Sequence, residues 1–87
     1  MDNIRFRNNF QTMKKPLRNQ CITDTIAWLE SQVRPSVKPE HLSFLIDFEN
    51  ALQSQLNAEK IPETWFNQIA TTYGNFPFYE KFLNRIK

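Results

Sequence analysis

The sequence predicts an all-α fold, a compact bundle of four main helices, and three observations point to this class. Apolar residues recur at three- and four-residue intervals along most of the chain, which is the spacing of helices with one buried face. Four of the five prolines stand just ahead of such a run, where a first helical turn tolerates a missing N–H. The chain has a single glycine and no Asn-Gly or Asp-Gly pair, so hairpins and glycine-rich phosphate loops find no support.

The first two predicted helices are separated by proline. After Pro16 the apolar series runs from Leu17 to Val33, and Pro35 ends it because the residue before a proline is driven out of the α region. The next helix spans about 39–57 and carries two adjacent apolar stripes. We therefore expect it to contact neighbours on more than one side and to lie at the centre of the fold.

The last two predicted helices meet at the lone glycine. The run Ile61-Pro62-Glu63 opens the third helix, and Gly74 is expected to close it as a left-handed residue. The fourth helix follows and carries the aromatic run of residues 76–82. Gly74 would then set the angle at which these aromatic rings are presented.

Length and composition limit the class of protein. A chain of 87 residues fits one small domain, and its 24 Leu, Ile, Val and Phe residues exceed the content at which charged chains stay disordered. Cys21 has no partner for an internal disulfide, and no stretch has the apolar length of a secretory signal or a membrane span. We expect a cytoplasmic protein with no membrane span and no cofactor, and the oligomeric state stays open.

Charge divides the chain into a basic N-terminal segment, residues 1–15, and a single helical domain, residues 16–87. Residues 1–20 hold five basic residues against one acidic residue, a net charge of +4. Residues 21–87 hold six basic residues against eight acidic ones, a net charge of −2. Two phenylalanines four residues apart allow the segment to form either a short additional helix or a free arm.

No residue is predicted to be catalytic or to bind a metal. His41 is the sole histidine and has no cysteine at ligand spacing. Cys21 stands beside Ile22 on an apolar face, so we expect a buried small hydrophobe rather than a nucleophile. Asp47 and Glu49 are two residues apart on a helix and point away from each other. The sequence therefore favours a binding protein over an enzyme.

Two groups of residues are candidate binding sites. The aromatic residues of the fourth helix are too crowded for all of them to point inward, which predicts an exposed surface for a protein partner. These candidates are Phe76, Phe78, Tyr79 and Phe82. The basic residues near the N-terminus are candidate contacts for nucleic-acid phosphates or for an acidic partner. They are Arg5, Arg7, Lys14, Lys15 and Arg18.

Two functions remain open from the sequence. The first is a cytosolic modulator or adaptor that docks on a larger protein and acts by occlusion or allosteric bias. The alternative is a nucleic-acid-binding transcriptional or nucleoid regulator that uses the basic segment. Five phosphate contacts would give a log–log salt slope of about −4.5, whereas an aromatic protein interface would respond weakly to salt.

Overall fold

Five α-helices make up most of the described chain, which is residues 2–86 of this computed structural model. They are α1 (Asp2–Thr12), α2 (Lys15–Trp28), α3 (Leu42–Gln53), α4 (Glu63–Tyr73) and α5 (Pro77–Ile86). Residues 2–86 contain no strand, and none of their helices has both the length and the apolar content that a bilayer crossing requires. The all-α prediction is confirmed, with α1 as the additional helix.

Irregular turns connect α2 to α3. The chain continues from α2 through a π-helical turn, Leu29–Val33, and a 3-10 turn, Arg34–Ser36. A second 3-10 turn, Pro39–His41, leads into α3. Pro35 has no N–H for the helical ladder, which accounts for the loss of regular α geometry around it. The helix predicted over 39–57 is shorter than expected. Its α-helical part is α3, which begins at Leu42 and ends at Gln53.

The core is largely aromatic and includes α1. Phe6 and Phe10 are both buried, and the centroid of the Phe6 ring lies 4.9 Å from that of Phe82 on α5. The Phe82 ring in turn lies 5.0 Å from that of Phe48 on α3. Full burial of one phenylalanine side chain stabilises a fold by about 2–3 kcal/mol. The N-terminal segment is therefore a docked helix that shares the core of the body, not a free arm.

The buried face of α2 departs from the predicted one at the start of the helix. Leu17, the first residue of the predicted apolar series, is 61% exposed. Arg18, Ile22 and Thr25 are the buried residues of this helix, at intervals of four and three. Ile22, Leu29 and Val33 belong to the predicted apolar series and are buried. The stripe therefore departs from the prediction at its first residue, where Arg18 is buried in place of Leu17. A charged side chain, Arg18, takes a position on the core stripe as a result.

The prediction that Gly74 is left-handed is wrong. Gly74 follows α4 with φ −60° and ψ −24°, which is right-handed helical backbone, and no glycine of residues 2–86 has a positive φ. A glycine suits this position for a steric reason instead. A Cβ atom there would collide with the carbonyl oxygen of Ala70, one helical turn earlier.

The left-handed residue is Asn57, in the loop between α3 and α4, with φ 66°. Asparagine tolerates this backbone region better than most residues. Its backbone N–H donates to Asn19 Oδ1 at 2.9 Å, and Asn19 Nδ2 donates to Asn57 Oδ1, also at 2.9 Å. These two hydrogen bonds tie the loop to α2.

Candidate functional site

The inward face of α5 holds most of the predicted aromatic surface. Phe78, Tyr79 and Phe82 are all buried, together with Leu83, because residues at spacings of one, four and five share one side of a helix. Burial raises the pKa of Tyr79 to about 12. The prediction of an exposed cluster is therefore wrong for these three aromatic residues, which close the core. Phe76, ahead of the helix, is half-buried.

Phe76 belongs to an aromatic patch on the surface, which we define as His41, Phe44 and Phe76. The rings of Phe44 and Phe76 are stacked, with centroids 4.8 Å apart and planes 29° apart. The His41 ring stands edge-on to Phe76, 4.9 Å away. Phe44 is 40% exposed on α3. The patch thus joins the start of α3 to the start of α5.

A small cavity adjoins the aromatic patch. Its volume is about 120 Å³, and it lies between the turns that precede α3 and the first turns of α5. Its lining residues are Val33, Ser36, Val37, Lys38, His41, Pro77, Phe78 and Lys81. Lys81 Nζ donates to Ser36 Oγ at 3.4 Å, so one ammonium group is held across this cavity. The cavity offers apolar walls with two lysines that are exposed to solvent.

The predicted basic residues do not form one surface. Arg5 and Arg7 lie two residues apart on α1 and so point about 200° apart around its axis. Lys14, Lys15 and Arg18 instead come together in a groove of about 600 Å³ at the α1–α2 junction. We call this the basic groove, and its lining residues are Gln11, Met13, Lys14, Lys15, Arg18, Glu59, Lys60 and Ile61.

Some charged groups in the basic groove have a partner and others do not. Lys15 Nζ forms an ion pair with Glu59, and this lysine, with a smaller effect from Arg18, lowers the pKa of the Glu59 carboxyl. Arg18 is 4% exposed, and its Nε and Nη2 atoms are buried without a hydrogen-bond partner. Lys60 comes from the loop after α3 and was not predicted, because only the fold brings it beside residues so distant in sequence.

Two acidic residues interact between α3, which carries Glu49, and the π-helical turn, which carries Glu30. Burial, together with the neighbouring Glu30, raises the pKa of Glu49 to about 8. The pKa of Glu30 is lowered, first by a hydrogen bond with Glu49 and further by Arg34. Arg34 Nη1 donates to Glu30 Oε1 at 2.8 Å. The two shifts favour a protonated Glu49 that donates to an ionised Glu30, a pairing that no sequence pattern predicted.

Cys21 and His41 line different cavities. Cys21 lies in a groove between α2 and α5, and burial raises the pKa of its thiol. Across this groove the Arg85 guanidinium lies 4.8 Å from the ring centroid of Trp28. Within the described chain, no group of three His, Cys, Asp or Glu side chains is placed to hold a metal ion.

Comparisons with protein-family models, with curated proteins and with solved structures found no significant match to this chain. The aromatic patch and the basic groove are the two candidate binding surfaces of the described chain.

Proposed function

We propose that this chain is a small non-enzymatic binding protein that docks on a larger protein and modulates it by occlusion or allosteric bias. The observation that carries the proposal is the stacked Phe44–Phe76 pair, held on the surface beside a cavity. Aromatic side chains are enriched in protein interfaces, where a few of them supply most of the binding energy. The docking surface is the aromatic patch with its adjoining cavity.

The adjoining cavity favours one kind of contact. An apolar cavity of about 150 Å³ holds a benzene molecule, so a cavity of about 120 Å³ fits one aliphatic side chain from a partner. Val37 and Pro77 line this space, and Lys38 and Lys81 add positive charge at its edge. The partner therefore presents an apolar side chain with a carboxylate beside it, since opposite charges fix the orientation of a complex.

The protonation state of the Cys21 thiol also supports binding rather than catalysis. The thiolate is the nucleophilic form of cysteine, and burial raises the pKa of Cys21, so the neutral thiol is favoured. The side chain behaves as a small apolar group at the side of a groove.

A matched pair of variants on α3 tests the proposal. Phe44 is 40% exposed and Ile46 is 39% exposed, so Phe44→Ser and Ile46→Ser remove similar apolar surface from different sides of one helix. Tagged wild type and both variants are used for affinity capture from the native host, with nuclease added to one arm. We expect a captured protein that survives nuclease, is lost with Phe44→Ser and is kept with Ile46→Ser.

The other outcomes contradict docking through the aromatic patch. Equal capture by both variants, or equal loss, would show that Phe44 has no special role. A complex that nuclease removes, with a log–log salt slope of about −4.5, would favour the alternative of a nucleic-acid-binding regulator. Lys38→Glu and Lys81→Glu serve as charge reversals, and each is expected to weaken capture of an acidic partner.

A further inference from the structure

Arg18 is a charged residue on the buried face of α2. Its guanidinium lies on the core stripe of α2, and two of its three nitrogens are buried without a partner. Burying an unpaired charge costs free energy, and buried ionised groups are normally paired with a group of opposite charge. An anion that binds beside Arg18 would remove this cost.

The two free nitrogens of Arg18 have the geometry of an anion-binding fork. Nε–H and the Nη2 group point to the same side of the planar guanidinium, so they donate in parallel to two oxygens of one phosphate or carboxylate group. Both atoms are covered in this conformation. Binding therefore requires the side chains that line the groove to rotate, and the groove of about 600 Å³ gives them room.

The charge of the basic groove favours a dianion. Four cationic side chains face a single carboxylate, Glu59, which leaves a net charge of +3. Lys15 is already paired with Glu59, so Lys14 and Lys60 are the lysines available beside Arg18. A phosphomonoester carries close to two negative charges at pH 7, whereas a carboxylate or a phosphodiester carries one.

We infer that the basic groove binds the phosphate group of a small phosphomonoester, with Arg18 Nε and Nη2 as the bidentate donors and Lys14 and Lys60 as additional cations. The volume of the groove leaves space for an organic part beside the phosphate, against the apolar side chains of Met13 and Ile61. This site shares no residue with the docking surface, so it stands or fails independently of the proposed function.

Titration of the whole chain with inorganic phosphate and with phenyl phosphate tests the site. Binding is followed by calorimetry and by the shift in the thermal unfolding midpoint at fixed ionic strength. We expect saturable 1:1 binding with a Kd of about 1 mM or tighter, and an unfolding midpoint that rises with ligand concentration.

Three variants test whether phosphate binds in the basic groove. Arg18→Lys keeps the charge but loses the fork, so binding should weaken by about tenfold or more. Lys60→Gln changes an exposed residue of the groove and should weaken binding severalfold without affecting the fold. Lys81→Gln removes an exposed lysine outside the groove and is expected to bind phosphate like the wild type.

Four results would overturn the inference. They are binding that does not saturate, Lys60→Gln with wild-type affinity, succinate binding as tightly as phosphate, or a short oligonucleotide binding where inorganic phosphate does not. If Arg18→Lys does not fold, Lys14→Gln replaces it, since Lys14 is exposed and the same loss of affinity is expected.

Discussion

Replacing Glu49 with glutamine should make the stability of the protein nearly independent of pH in the neutral range. Folding raises the pKa of Glu49 from its ordinary value of 4.5 to about 8, so the folded state holds this proton more tightly than the unfolded state. The stability that the proton contributes is complete below about pH 4.5 and is lost as the pH rises toward 8. In Glu49→Gln the amide donates to Glu30 at every pH.

The size of the stability change follows from the difference between the pKa of Glu49 in the unfolded state and its pKa in the folded state. At about 1.4 kcal/mol per pH unit, the interval from 4.5 to 8 corresponds to an upper limit near 5 kcal/mol. Glu49 keeps 9% of its surface exposed, so the ionised carboxylate can rotate toward water and recover part of its hydration. We expect the wild type to lose about 2 kcal/mol of unfolding free energy between pH 5 and pH 8.

Urea unfolding at pH 5, 6, 7 and 8 measures this loss. The wild type and Glu49→Gln should have similar unfolding free energies at pH 5, and the variant should be more stable by about 2 kcal/mol at pH 8. Asp47→Asn changes an exposed carboxyl on the same helix and should keep the wild-type pH dependence. Parallel pH profiles for the wild type and Glu49→Gln would refute a buried, protonated Glu49.

Three further substitutions test the fold, each by urea unfolding. Gly74→Ala should cost about 1 kcal/mol or more, because the new Cβ meets the Ala70 carbonyl; unchanged stability would remove the steric argument. Asn57→Ala should cost about 1–2 kcal/mol and more than Asn57→Gly, which keeps the left-handed backbone; equal losses would locate the effect in the hydrogen bonds to Asn19 alone. Phe10→Ala should cost about 3–5 kcal/mol, and a loss below about 1 kcal/mol would contradict the docking of α1 in the core.

Helix positions were predictable from the sequence because proline and apolar spacing act locally. Pro62 and Pro77 stand at the starts of α4 and α5, where the sequence places them. The first turn of α2 was not predictable in the same way, because the apolar Leu17 is exposed and its charged neighbour Arg18 is buried. Ile22 and Thr25 follow Arg18 at spacings of four and three, but arginine and threonine do not stand out in an apolar pattern.

The candidate binding surfaces were not predictable, because residues that are far apart in the sequence come together to form them. Crowding of aromatic residues was expected to leave the inner residues of α5 exposed, but α1 supplies Phe6 and Phe10 to the same core and covers them. Phe44 and Phe76 come together only when α3 meets the start of α5. Lys60 joins Arg18 for the same reason, and no sequence pattern links the two.

The most direct measurement of the central proposal is the affinity of the captured partner for the two α3 variants. A hot-spot residue of an interface costs about 2 kcal/mol or more when its side chain is truncated, so Phe44→Ser should raise the Kd by about thirtyfold. Ile46→Ser, at a residue with a similar exposed fraction, should change the Kd by less than about threefold. Equal Kd values for Phe44→Ser and the wild type would contradict docking through the aromatic patch.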